Sequence, residues 1–140
     1  MVAFMVSVLE ESVVGFYGPL KVRGIELVIH MPDGPVVRRL NRAALFRVFG
    51  NILSNALKYS AGDLEIILLE SGHVSFSNTA PDLDDIQVGR LFDRFFTVEA
   101  ARSSTGLGLA IAKTLVERMD GTIDAQLQAE TLTIRISFGT

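Results

Sequence analysis

The stretch Asn51-Ile-Leu-Ser-Asn55-Ala-Leu-Lys58-Tyr59-Ser60 constrains this chain most, because it asks one helix to be apolar and strongly polar at once. Asn51, Asn55 and Lys58 stand at i, i+4 and i+7 and share a stripe, which Arg47 extends by a turn. Leu45, Phe49, Ile52, Leu53 and Ala56 form a second face, wide enough to join a core. Two carboxamides one turn apart carry donors and acceptors that are costly to bury without partners. A solvated polar face would explain them. So would a ligand against the helix: a hydrated divalent cation with a phosphate chain satisfies an Asn-Asn-Lys set.

A second segment favours the ligand. Ser103-Ser104-Thr105-Gly106-Leu107-Gly108-Leu109 runs into Ala110 to Met119, where Leu109, Ala112, Val116 and Met119 make a buried helical stripe. Asp120-Gly121 supplies the stop, with Gly121 expected at the C-terminal cap. Gly106 and Gly108 therefore fall where the helix begins, among unpaired N–H groups and the positive end of the dipole. Glycines there let backbone approach an anion closely, which suits phosphate.

The rest of the chain alternates helix and strand. A helix is expected from Ser7 to about Tyr17 and a strand from Ile25 to His30, closed by the turn Pro32-Asp33-Gly34. Asn41 is placed to N-cap the polar helix. Leu64–Leu69 and Val74–Ser77 read as strands joined through Ser71-Gly72, and Asp84 or Asp85 can start a short helix toward Phe92. Two strands close the chain, Thr122–Leu127 and Leu132–Phe138. In the second, Leu132, Ile134, Ile136 and Phe138 alternate with polar residues, so one sheet face is covered and the other solvated. The expected fold is an α/β two-layer sandwich, a mixed, mostly antiparallel sheet with helices on one face.

Composition sets outer limits. The 140 residues suit one domain, and 49% hydrophobic with 21% charged residues is globular. A net charge of −3 suggests no nucleic-acid partner, and the absence of cysteine excludes disulfides and Cys-based metal sites. No apolar run approaches a membrane span.

With these motifs in order, the chain resembles the ATP-binding, catalytic domain of sensor histidine kinases, of the Bergerat ATPase superfamily (gyrase, heat-shock chaperone, histidine kinase, mismatch repair). Asn51–Ser60 is similar to the family's N box, Leu91-Phe-Asp-Arg-Phe-Phe96 to its F box, and Thr105-Gly-Leu-Gly-Leu109 to its second glycine box. One motif departs. Where the family has Asp-x-Gly-x-Gly, this chain reads Asn78-Thr79-Ala80-Pro81-Asp82, so a neutral amide stands at the adenine-binding position and both glycines are absent. The link Thr97 to Arg102 also leaves little room for a long lid.

The resemblance implies ATP and Mg²⁺ as ligands. It implies Asn55 as a metal ligand with Asn51 supporting the metal or its waters, Lys58 on phosphate and Tyr59 against the nucleotide. Asn78 would face adenine, Arg102 the γ-phosphate, and Thr105, Gly106, Leu107, Gly108 and Leu109 would supply the phosphate-binding turn. Phe92, Phe95 and Phe96 are expected to pack and anchor the lid. His30 and His73 are expected as a strand and a turn residue, without a phosphoacceptor's setting. The implied reaction is transfer of the γ-phosphoryl of ATP to a histidine on a separate helical dimerisation domain, with a response regulator downstream. The chain itself would be a monomeric cytoplasmic fragment of a parent that can be anchored in the membrane. Hydrolysing relatives carry a glutamate base where Asn51 stands, so poor ATP hydrolysis is expected. Two other readings stay open: a nucleotide-binding pseudokinase with a degenerate first glycine box, and an anti-sigma-type serine kinase.

Overall fold

A computed structural model describes residues 3–94, 96 and 107–139. Its main sheet has five strands: β2 (Glu26–His30), β4 (Asp63–Leu68), β5 (His73–Thr79), β7 (Thr131–Ser137) and β6 (Thr122–Gln128), side by side in that order. The β2–β4 pair is parallel and the others antiparallel, so the expected mixed, mostly antiparallel sheet is present. Short strands β1 (Ala3–Phe4) and β3 (Val37–Arg38) pair separately. The helices are α1 (Met5–Val22), α2 (Arg42–Tyr59), α3 (Asp85–Val88) and α4 (Gly108–Arg118).

Alternation divides the sheet's faces. Leu64, Ile66, Leu68, Val74, Phe76, Leu132, Ile134 and Ile136 are buried in one core with Leu45, Phe49, Ile52, Leu53 and Ala56 of α2 and Leu109, Ala112 and Val116 of α4. The rings of Phe49 and Phe76 meet at 5.9 Å between centroids. The other face is polar: Ser77 and Thr133 hydroxyls bond at 2.9 Å, and Arg135 donates to Gln126 at 2.9 Å.

Several boundaries differ from expectation. α1 starts earlier and runs on past Tyr17 to Val22, through Gly18 and Pro19. Burial of Leu20 and Ile25 carries that last turn, which closes when Ile25 N–H donates to Leu20 O at 2.9 Å and Gly24 N–H to Lys21 O at 3.0 Å, with Gly24 at φ +71°. α4 ends in the same motif. Gly121 N–H donates to Val116 O and Asp120 N–H to Glu117 O, both at 3.0 Å. The left-handed residue there is Asp120 at φ +61°, not Gly121. Gly121 is needed for a different reason: a Cβ on it would lie 2.6 Å from Cδ1 of Phe138. Strand β5 also outruns its expected end, because it pairs with β7 from His73 to Thr79.

Candidate functional site

Helix α2 is fixed at both ends before any ligand is considered. At its start Asn41 Oδ1 accepts from Ala44 N–H at 3.0 Å, as expected of an N-cap. At its end the Arg23 guanidinium donates to the carbonyls of Leu57 and, at 3.4 Å, Ser60. A cation there also opposes the negative end of the helix dipole. Buried Ser60 completes the turn: its Oγ accepts from the N–H groups of Gly62 and Asp63, each at 3.0 Å. Asp63 in turn accepts from Thr79 N–H at 2.8 Å and Thr79 Oγ1 at 3.0 Å, tying the end of β5 to the α2–β4 turn. The sequence reading missed Ser60 and Asp63; Ser-x-Gly-Asp turn chemistry was the available signal.

The polar stripe of α2 lines a cleft. Asn51, Ser54, Asn55, Lys58 and Tyr59 form one wall, Leu91 and Phe96 another, and Gly108 and Leu109 of α4 a third. The structure therefore brings together the polar helix and the start of the glycine-opened helix. Asn55 is 8% exposed, and its side chain makes no hydrogen bond among the described residues. Asn51 differs: its Nδ2 donates to the carbonyl of Gly108 at 2.8 Å. The Lys58 ammonium lies 5.5 Å from the centre of the Tyr59 ring. Leu107 is the N-cap of α4 and supplies no side-chain cap. A Cβ on Gly108 would come no nearer than 4.0 Å to Asn51, so packing alone does not demand glycine there.

Asn78 is not on the cleft wall. It sits inside β5, buried on the helix-facing row, with Nδ2 donating to Thr79 O at 3.3 Å. Arg102, Thr105, Gly106 and Phe95 lie outside the described residues. The Arg90 guanidinium lies 4.8 Å over the Phe96 ring, and Lys113 Nζ lies 5.9 Å from the Phe92 ring, which fits the packing role expected of these phenylalanines. His30 is on exposed β2, 3.2 Å from Glu65; His73 opens β5 and meets the hydroxyls of Ser71 and Ser137 at 2.9 and 3.1 Å. A larger cavity of about 710 Å³, lined by Arg38, Met119 and Phe138 among others, holds none of the predicted site residues. There Arg38 already donates to the carbonyls of Val37, Glu70 and Phe138.

The donor set fits a nucleotide with its metal better than a metal alone. Among the described residues, no group of three His, Cys, Asp or Glu side chains could hold a cation. Asn55 offers a carboxamide oxygen that has no competing hydrogen bond among the described residues, a suitable hard ligand for a cation that keeps its other waters and phosphate oxygens.

Residues 40–139 match the family of histidine kinase-, DNA gyrase B-, and HSP90-like ATPases. The chain belongs to this family. Family membership implies ATP as the ligand. Among curated relatives, the chain is 32% identical over 131 residues to the sensor histidine kinase YcbM of Bacillus subtilis (strain 168), covering 87% of this chain and 42% of that protein. It is 36% identical over 112 residues to the signal transduction histidine-protein kinase BaeS of Escherichia coli (strain K12), covering 74% of this chain and 24% of that protein. The mycobacterial sensor histidine kinase MprB superposes with a TM-score of 0.80 at 25% identity, covering 99% of this chain and 97% of that one. The catalytic domain of histidine kinase ThkA shares the fold, with a TM-score of 0.86 at 18% identity over 99% and 96% of the two chains. The chain is thus a histidine-kinase-type ATPase domain, and it spans less than half the length of the curated relatives it matches.

Proposed function

We propose that the cleft binds ATP with Mg²⁺ and presents the γ-phosphoryl to a histidine on a helical dimerisation domain of the parent kinase. The observation that carries this reading is buried Asn55, a carboxamide without a hydrogen-bond partner among the described residues, facing a cleft that α4 opens onto. Among the described residues no fully buried side-chain polar atom lacks a partner, so the Asn55 amide is open to the cleft and can meet a ligand there. Asn55 would hold the metal and Lys58 would meet phosphate as a point charge. The N–H groups of Leu107, Gly108 and Leu109 at the start of α4 would take phosphate oxygens, and Thr105, Gly106 and Arg102, which precede them in sequence, would contribute as well. Bound Mg²⁺ would neutralise phosphate charge. The chain's own share is positioning and electrostatic complementarity, with little proton transfer by side chains. Asn51 cannot deprotonate water, so the domain should be a poor ATPase.

The domain would work on the cytoplasmic side, and among the described residues no helix is long and apolar enough to cross a membrane. Incubation of the chain with radiolabelled ATP should give neither labelled protein nor appreciable phosphate release. Adding the cognate helical domain in trans should label that domain on histidine, at low yield because the tether's effective concentration is lost. Strong self-labelling of His30, which has Glu65 beside it, contradicts this reading. Nucleotide binding without transfer to any cognate acceptor points instead to a pseudokinase.

A further inference from the structure

The two asparagines of the polar stripe are in different states. Asn55 is without a hydrogen bond among the described residues, whereas Asn51 Nδ2 already donates to Gly108 O at 2.8 Å across the gap between α2 and α4. A backbone carbonyl only accepts, so the amide end of Asn51 must face it. Carbonyls have two lone pairs, so this contact need not displace the helix's own bond.

Helix α4 needs such an outside contact. α2 is capped by Asn41, and α3 by a reciprocal capping box between Asp84 and Gln87. α4 has no side-chain cap at Leu107 and no acidic residue in its first turn. Its far end is closed by the bonds around Asp120 and Gly121, so its first turn is the weakly held one. Asn51 lies beside Gly108, its Cβ and Cγ 4.0 Å from where a Cβ on Gly108 would stand.

We infer that Asn51 is a positioning residue, whose amide clamps the first carbonyl of α4 and aims that helix's opening turn into the cleft, and that it is not a ligand of the metal. The inference rests on the nucleotide reading for what the aimed turn does, but the clamp itself does not. It gives Asn51 a role opposite in sign to metal support under one substitution. Asn51→Asp keeps the shape and supplies a better oxygen for Mg²⁺, but it cannot donate, and it sets a carboxylate against a carbonyl oxygen. Asn51→Ala removes both capacities.

The test has two arms. Hydrogen exchange in the absence of nucleotide should be about tenfold faster at Ile111 and Ala112 in both variants, with the centre of α2 unchanged. Calorimetry with ADP and Mg²⁺ should show both variants weakened by about tenfold, with Asn51→Asp no better than Asn51→Ala. Unchanged exchange in both variants overturns the clamp. Full Mg²⁺-dependent affinity in Asn51→Asp with loss in Asn51→Ala overturns it in favour of a metal ligand. Faster exchange with unaltered affinity overturns the positioning role. If the unsubstituted chain binds no nucleotide, the functional reading fails, while the exchange arm still decides the clamp.

Discussion

Helices α1 and α2 are both 18 residues long and pack against each other, joined at one point by an ion pair between Glu11 and Arg42. Each also buries a polar side chain, and those two side chains behave differently. Ser12 of α1 donates to Val8 O one turn back at 2.8 Å, so its need is met inside its own helix. Asn55 of α2 is buried without a partner among the described residues, facing the cleft. The outward side of α1 shows Val14, Tyr17 and Val22 to solvent, whereas the polar side of α2 is walled by α4, Leu91 and Phe96. Burial of a polar group therefore does not mark a site. A polar side chain that opens onto a cleft and makes no hydrogen bond to the protein among the described residues does.

The contrast can be sharpened by substitution. The largest effect should come from the apolar face of α2: Phe49→Ala removes a fully buried ring packed on Phe76 and should cost about 3–5 kcal/mol in urea unfolding. Next is Gly121→Ala, where the new methyl meets the Phe138 ring and should cost about 1–3 kcal/mol, a strain absent from the open surroundings of Gly15 and Gly18 in α1. The family resemblance sets position 78 against adenine although it does not line the cleft; on that reading Asn78→Asp should tighten ADP by roughly 1 kcal/mol and leave GDP unimproved. An equal gain for GDP in a competition titration would show that this buried position does not read the base. The smallest effect belongs to α1: Tyr17→Ser should stay within about 0.5 kcal/mol in stability and leave nucleotide binding alone. Loss of binding in that variant would erase the distinction between the two helices.

The sequence made much of this visible. The two faces of α2 follow from helical spacing, and Leu45, Phe49, Ile52, Leu53 and Ala56 are all buried as that spacing requires. The alternation in Leu132–Phe138 marked the covered face of β7, and Asn41 marked a helix start. What escaped depended on tertiary contact. The first helix was expected to end near Tyr17, yet packing of Leu20 and Ile25 carries α1 on to Val22. Asn78 looked like a residue after a strand, but pairing with β7 draws it inside β5 and away from the cleft wall. The Asn51–Gly108 bond joins positions 57 apart, and neither residue's local pattern reveals the other. Gly121 was legible as necessary but not for the right reason, since its neighbour Phe138 comes from another element.

The nucleotide-metal site is tested most directly by calorimetry of Asn55→Ala with ADP and a non-hydrolysable ATP analogue, each with and without Mg²⁺. Since the Asn55 side chain makes no hydrogen bond among the described residues, the variant should fold with near-normal stability. The unsubstituted chain should bind nucleotide more tightly when Mg²⁺ is present, and in the variant that dependence should vanish. Mg²⁺-dependent binding that survives unchanged in the variant contradicts the site.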